Sequence, residues 1–143
     1  MIKFKDILTE SQGNLDKAMS EIKNKATGSY RYRGLIFGSN GMAEIYISDD
    51  SIYIGSLISF NIGGGKRIMS DIINICNIYK ANIKLLAQAY DKNSDNQYKE
   101  MGIDDNRPKL SQSELISWYK RIGFTIIEKN KNSAKMIKYP DIK

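Results

Sequence analysis

Three segments of the chain repeat apolar residues at the spacing of an α-helix. The first covers residues 14–26, with Asn14 as its N-cap and Gly28 just beyond its end. The second follows residues 63–65 and has an apolar face made by Ile68, Met69, Ile72, Ile73, Cys76 and Tyr79. The third begins with a capping box formed by Ser111 and Glu114. Residues 3–9 fit a short helix or a strand equally well, and that choice stays open.

Runs rich in β-branched and aromatic residues predict the strands. Residues 30–37, 42–48 and 51–60 are separated by short turn sequences, which is typical of an antiparallel meander. Residues 81–90 follow the second helix and predict a strand parallel to 51–60, because a strand–helix–strand crossover joins parallel strands. Two further strands follow the third helix. The pattern therefore predicts an α/β fold with a mixed sheet.

The strand at residues 51–60 leads into three consecutive glycines, Gly63, Gly64 and Gly65, and then into a helix. Glycines allow a tight turn and close approach of a ligand to the backbone. The free N–H groups of the first helical turn attract anions, typically phosphate. The loop matches neither the Walker A spacing nor the dinucleotide-binding spacing. A tight turn without a ligand remains the alternative.

The amino-acid composition limits the kinds of catalytic and metal-binding site that the chain can form. The chain has 143 residues, one cysteine, no histidine and a formal net charge of +6. Serine–histidine and cysteine–histidine catalytic pairs are therefore excluded, as are most zinc sites, and no metal is expected. No apolar stretch approaches the length of a membrane span, and a single cysteine fits the cytoplasm. The positive charge favours solubility, with nucleic-acid binding as a less favoured interpretation.

The segment from Leu110 to Tyr139 resembles the C-terminal half of the GCN5-related N-acetyltransferase (GNAT) superfamily. A helix leads into Tyr119, Gly123 and Phe124, which hold the places of the family's Tyr-x-x-x-Gly-Phe pattern. Residues 63–65 match the Gly-x-Gly part of its cofactor loop, although Phe60 replaces the usual Gln or Arg. The resemblance covers roughly residues 30–139. It implies a mixed sheet of about six to seven strands with helices on both faces.

The resemblance also implies acetyl-CoA as the co-substrate. In the family, a bulge in the fourth strand, here marked by Gly55, separates it from the next parallel strand. Backbone groups of Leu57, Ile58 and Ser59 would then pair with the pantetheine arm. The pyrophosphate would be held by the backbone amides of Gly63, Gly64, Gly65, Lys66, Arg67 and Ile68, with charge added by Lys66 and Arg67. Gln112 stands where the family commonly has a cofactor-contacting asparagine.

Two residues are assigned catalytic roles on the same basis. Tyr119 matches the family's general acid, which protonates the departing thiolate. Glu44 ranks first as the base that removes a proton from the amine, ahead of Asp49, Asp91 and Glu114. Each has a structural alternative, since Tyr119 also fits a core position and Glu44 a solvent-facing one. The acceptor is a primary amine of a small molecule or of a protein, and the sequence does not choose between them.

The whole chain, residues 1–143, is expected to form one domain, a monomer or homodimer, with a polar insertion at residues 91–110. This insertion either contacts the acceptor or extends into solvent. The N-terminal sequence resembles those of tailed-phage proteins, which suggests a viral origin and the host cytoplasm. Two other functions remain open: a GNAT-fold binding module without catalysis, and a basic nucleic-acid-binding protein.

Overall fold

The computed structural model describes residues 4–88, 99–100 and 110–141, with only the backbone described for residues 4–12. The chain divides into two compact units, one made of Met1–Leu85 with Lys138–Lys143 and the other of Leu86–Ile137. The helices with described bounds are Phe4–Lys25 (α1), Gly64–Ile78 (α2) and Gln112–Arg121 (α3), and residues 99–100 are helical as well. The strands are Gly28–Tyr30 (β1), Gly34–Phe37 (β2), Gly41–Ser48 (β3), Ser51–Ser59 (β4), Asn82–Gln88 (β5), Thr125–Lys129 (β6) and Ser133–Lys138 (β7).

The strands form a mixed sheet. In the first unit the order is β1-β2-β3-β4-β5, and neighbours from β1 to β4 are antiparallel. β5 is parallel to β4 and follows it through α2. The second unit contains the end of β5, then β7 and β6, and the last two form an antiparallel hairpin. The predicted meander, the strand–helix–strand unit and the number of strands are confirmed.

The core of the first unit lies where α1 and α2 contact each other, β3 and β4. The apolar stripe predicted for α1 is buried from Leu15 to Ile22, and Ala18 and Ile22 have no exposed surface, whereas Ala26 lies beyond the helix and is half-buried. From α2, Ile68, Met69 and Ile72 are each 1% exposed. Burying a side chain of this size contributes roughly 1.5–3 kcal/mol, so these two stripes hold α2 firmly in place.

The C-terminal residues of the first unit are tied to the end of α2. Lys138 is buried, and its ammonium lies 3.0 Å from a carboxylate oxygen of Asp141. The Asn77 side chain donates to Asp141 at 2.9 Å and accepts from the Asp141 backbone N–H at 3.0 Å. The ion pair offsets the cost of burying the lysine ammonium.

The second unit is organised by α3. The predicted capping box is confirmed: Ser111 accepts from Glu114 N–H at 3.2 Å, and the Glu114 carboxylate accepts from Ser111 N–H at 3.0 Å. The helix ends before Gly123, whose φ of 109° suits glycine. Phe124, at 1% exposed, then enters the core of this unit.

Two predicted elements are wrong. α1 begins at Phe4, so Asn14 lies inside the helix and is not its N-cap. The region 30–37 is not one strand, because the chain turns at residues 31–33 and Gly34 pairs back with Tyr30. A β-carbon at Gly34 would collide with the Tyr30 carbonyl oxygen, so this close approach requires glycine.

Two other predictions, on the polar insertion and on membrane spans, can be compared only with the described residues. The insertion at residues 91–110 falls outside the described residues except for 99–100 and 110. Among the helices that the structure describes, none combines the length and apolar character needed to cross a membrane.

Candidate functional site

A β-bulge interrupts the ladder between β3 and β4. Glu44 pairs with Ser56 and Ile45 with Ile54, which leaves Gly55 as an extra residue on β4. The Glu44 carboxylate lies directly against Gly55, since a β-carbon there would sit 2.5 Å from Glu44 Oε1. The absence of a side chain at Gly55 therefore makes room for the Glu44 carboxylate, which is half-buried.

The bulge also marks a change on the other edge of β4. The parallel ladder with β5 joins Ser51–Ile54 to Asn82–Leu85 and ends immediately before Gly55. The ladder with β3 continues to Ser59. Among the described residues of the first unit, the backbone groups of residues 55–59 that face away from β3 have no strand partner. Leu57, Ile58 and Ser59, the predicted cofactor-contacting residues, lie in this stretch.

The chain leaves β4 through the glycine turn and enters α2. Gly63 is the N-cap, with φ 81° and ψ 0°, a left-handed conformation that favours glycine. Gly64 lies so close to the β2–β3 turn that a β-carbon there would collide with the Asn40 carbonyl oxygen. Gly65 donates its N–H to Ser59 Oγ at 3.2 Å. The turn therefore packs tightly against the end of the sheet.

Arg67 supports this turn from outside. Its Nε donates to Asn40 Oδ1 and its Nη2 to Asn61 Oδ1, each at 2.7 Å. Asn61 in turn donates to the Ser39 carbonyl at 2.7 Å. The guanidinium therefore links the start of α2 to two turns, a role that the sequence analysis did not predict for it.

Some of the backbone N–H groups predicted to bind an anion already donate a hydrogen bond within the protein, and others do not. Gly64 N–H donates to the Asn61 carbonyl at 3.1 Å, and the N–H groups of Gly65 and Arg67 also have acceptors. Within the described part of the chain, the N–H groups of Gly63 and Lys66 have no acceptor. The Lys66 side chain is exposed beside them. Free N–H donors with a positive charge close by are what binds an anion at the start of a helix.

Tyr119 is a buried residue of the second unit, with 6% of its surface exposed. Its ring lies 4.9 Å from that of Trp118 and meets Phe124 edge-on at 5.6 Å, measured between centroids. Its hydroxyl has no hydrogen-bond partner among the residues that the structure describes. Burial raises the pKa of Tyr119 well above its ordinary value.

Other polar candidates already have structural partners. Gln112 donates to the Ala87 carbonyl at 2.9 Å, which joins α3 to the end of β5 within the second unit. Glu114 is held in its capping box, and hydrogen bonds from Ser111 lower the pKa of its carboxyl. Burial raises the pKa of Cys76 to about 12, so its thiol stays protonated and packs as an apolar group.

The described residues include no group of three or more His, Cys, Asp or Glu side chains that could hold a metal ion. The first unit contains three of the features described above, in this order along the sequence: Glu44, the unpaired stretch of β4 and the glycine turn. Tyr119 and Gln112 belong to the second unit, and each is described there by its own surroundings.

The sequence analysis missed one cluster, a stack of Tyr32, Arg33, Tyr46 and Tyr53, called the Tyr–Arg stack below. The Arg33 Cζ atom lies 4.9 Å from the Tyr32 ring centroid and 4.1 Å from that of Tyr46. The rings of Tyr46 and Tyr53 lie 5.1 Å apart. The alternation of tyrosine and arginine at residues 30–33 is the signal that could have indicated it.

Comparisons with known proteins give likenesses of structure alone. No protein-family model matches the chain, and no curated protein matches it. PH1933 from Pyrococcus horikoshii OT3 is similar at 17% identity and a TM-score of 0.44 over 71% of this chain. The chain spans 59% of that protein's length.

Two further similar structures span most of both chains. The ribosomal-protein-S18-alanine N-acetyltransferase from Escherichia coli has 11% identity and a TM-score of 0.48, with 99% of this chain and 92% of that chain covered. A protein from Bacteroides thetaiotaomicron ascribed to the GNAT family of acetyltransferases has 15% identity and a TM-score of 0.42, with 99% and 86% covered. At these values, the function of this chain has to be inferred from its own residues.

Proposed function

We propose that the protein transfers an acetyl group from acetyl-CoA to a primary amine, as a member of the GNAT superfamily. One observation carries this proposal: the pairing of β4 with β5 ends at the Gly55 bulge, and the unpaired stretch of β4 leads straight into a glycine turn and a helix start. An unpaired strand edge suits an amide-containing arm, and the helix start suits its phosphates.

The residues of the first unit fit coenzyme A in part. Backbone groups of Leu57, Ile58 and Ser59 are available to pair with the pantetheine amides, as β4 has no partner there within that unit. The Gly63 and Lys66 N–H groups and the Lys66 ammonium would hold the pyrophosphate. Arg67 supports the turn through Asn40 and Asn61 and is not counted among the phosphate ligands.

Acetyl-CoA supplies a thioester, whose carbonyl carbon accepts the amine nitrogen. The C–N bond forms as the C–S bond breaks, and the sulfur leaves as a thiol after it takes up a proton. A free backbone N–H near Ile58 would stabilise the negative charge that develops on the carbonyl oxygen. The amine nitrogen must lose a proton in the same reaction.

Tyr119 is proposed to donate the proton to sulfur. Its phenol is protonated at neutral pH, as tyrosine ordinarily is, and burial raises its pKa further. Its hydroxyl has no hydrogen-bond partner among the described residues. Glu44 is proposed to accept the proton from the amine, directly or through water. Its carboxylate lies at the bulge, next to the unpaired stretch of β4. The acceptor is a primary amine of a small molecule or of a protein.

Isothermal titration with acetyl-CoA tests the cofactor assignment. The wild-type protein is expected to bind, and Lys66→Glu to weaken binding about tenfold or more, because it places a negative charge beside the pyrophosphate. Lys131→Glu, an exposed change of equal charge in the β6–β7 turn, is the matched control. No binding by wild type, or equal affinities for both variants, would contradict the proposal.

Unbiased mass spectrometry tests the reaction. Cells that express the wild-type protein should accumulate molecules that have gained one acetyl group, relative to cells with Tyr119→Phe. Small-molecule and protein fractions are measured separately, which identifies the acceptor class. Acetylation that is the same in both strains and in cells without the protein would leave coenzyme binding without catalysis as the function.

A further inference from the structure

The Tyr–Arg stack is carried by a turn with strained backbone. Arg31 has φ 56° and Arg33 has φ 70°, both in the left-handed region, within the short turn between β1 and β2. Glycine or asparagine usually occupies such positions, because a larger side chain there costs conformational free energy. Two arginines at these positions point to a role for their side chains.

The Arg33 guanidinium lies against two tyrosine rings, and its N–H donors have no partner among the described residues. The rings of Tyr32 and Tyr46 both lie against it, with centroids 4.9 and 4.1 Å from Cζ, and the Arg33 side chain is exposed. Within residues 4–88, 99–100 and 110–141, no hydrogen bond or ion pair uses these donors. A planar fork of N–H donors that rests against aromatic rings suits the oxygens of a phosphate group.

Tyr32 adds an aromatic surface next to this cation. It is 81% exposed, although Arg33 already lies over its ring, so most of the ring remains open to solvent. A large aromatic side chain this exposed gains nothing from burial in the fold. An open ring beside a phosphate-binding group is the arrangement that stacks an unpaired base.

We propose that the Tyr–Arg stack binds single-stranded nucleic acid, with a backbone phosphate on Arg33 and a base on the open surface of Tyr32. The formal net charge of +6 would assist the approach of a polyanion. A duplex would bind less well because its bases are already stacked. This proposal depends on the β1–β2 turn and β3, and it does not depend on the acetyltransferase proposal.

Fluorescence anisotropy tests it with the full chain and fluorescein-labelled oligothymidylate and oligouridylate of about 15 nucleotides, long enough for one binding site. Titrations in about 50 mM salt and above give the affinity and its salt dependence. We expect saturable binding that weakens with salt, and weaker binding of a duplex of the same length. The two oligonucleotides distinguish DNA from RNA.

Two variants separate the two contacts. Arg33→Gly should weaken binding about tenfold and reduce the salt slope by about 1, because one phosphate contact is lost. Glycine tolerates the left-handed backbone, so this variant should keep its melting temperature. Tyr32→Ala should weaken binding about tenfold with an unchanged slope, since stacking does not release counterions. Lys131→Ala removes one positive charge elsewhere and is the control.

Three results would overturn the proposal. One is no binding by the wild-type protein in low salt, and another is equal affinities of Arg33→Gly, Tyr32→Ala and Lys131→Ala. The third is displacement of the oligonucleotide by polyglutamate at equal charge concentration, with no effect of Tyr32→Ala, which would assign the surface to an acidic polypeptide. Acetyl-CoA titrations of the same variants should match wild type, so the two proposals can fail separately.

Discussion

The Glu44 carboxylate occupies the space that a side chain at Gly55 would fill, with Oε1 2.5 Å from the position of a β-carbon there. Gly55→Ala should therefore displace the carboxylate. The free energy of unfolding should fall by less than about 1 kcal/mol, because the displaced atoms are the end of a flexible side chain. Acetyl transfer should slow about tenfold, as a general base loses its position.

Glu44→Gln is the reference for this test, since it keeps the size of the side chain and removes its basicity. Both variants are compared by kcat with a common acceptor and by chemical denaturation. If Glu44→Gln slows the reaction and Gly55→Ala does not, the position of the carboxylate over Gly55 has no catalytic importance.

The glycine turn should respond differently at two adjacent positions. Gly64→Ala should lower the free energy of unfolding by about 2 kcal/mol or more, because its β-carbon would collide with the rigid Asn40 carbonyl. Gly65→Ala should leave it unchanged or raise it by up to ~1 kcal/mol, since its β-carbon meets Leu57 Cδ2 at an ordinary 3.6 Å in a helix.

Urea denaturation of the two variants measures this difference. Equal stabilities would mean that the β2–β3 turn moves away from Gly64 at little cost. The glycine turn would then be adaptable.

Lys66 and Arg67 should separate ligand binding from stability. Arg67→Lys should lower the free energy of unfolding by about 1 kcal/mol, because a lysine cannot bridge Asn40 and Asn61 as the guanidinium fork does. Lys66→Met should weaken acetyl-CoA binding and leave stability unchanged. Thermal denaturation and calorimetric titration of both variants check this, and the reverse pattern would exchange the two roles.

Tyr119→Phe should lower kcat about a hundredfold without destabilising the protein. The lost hydroxyl has no partner among the described residues, so its removal should leave the free energy of unfolding unchanged or higher. Because burial raises the pKa of Tyr119, the wild-type rate should not decline where a free tyrosine titrates, near pH 10. An unchanged kcat in the variant would exclude Tyr119 as the acid, whereas a rate that falls near pH 10 would contradict the raised pKa.

Cys76 should make the protein sensitive to alkali. Its pKa is about 12 in the folded state against an ordinary value of 9.0. The unfolded chain therefore loses its thiol proton first, and stability that is complete below pH 9 declines as the pH rises toward 12. The slope is about 1.4 kcal/mol per pH unit.

Cys76→Val removes the thiol and keeps an apolar side chain of similar size, so its stability should decline less over the same range. Urea denaturation at a series of pH values measures both proteins. Parallel curves would show that other groups cause the alkaline loss.

Local pattern was sufficient for most of the fold. Apolar residues at helical spacing indicated the three helices whose bounds the structure describes, and with them the βαβ unit, while the capping box marked the start of α3. Both signals come from residues that are close in sequence. Phe4, Ile7 and Leu8 have helical spacing, but residues 9–13 carry no apolar side chain and include Gly13, so the sequence did not predict that α1 continues through them. The turn at residues 31–33 was missed because alternating tyrosine and arginine imitates a strand, and two left-handed arginines give no local signal.

The site was less predictable than the fold. Gly55 suggested a bulge from its residue type alone, but the position of Glu44 over it depends on strand register. Arg67 was assigned to the pyrophosphate because it follows the glycines. Its contact with Asn40 joins residues far apart in the sequence, which only the folded chain reveals.

The Arg67 bridge affects how much conformational entropy the glycine turn would lose when a ligand binds. With the start of α2 fixed to Asn40 and Asn61, the glycine turn already has its final shape before any ligand arrives. Little conformational entropy is then lost on association. Hydrogen exchange at the amides of this turn should be almost the same in the free and the liganded protein, apart from those that contact the ligand.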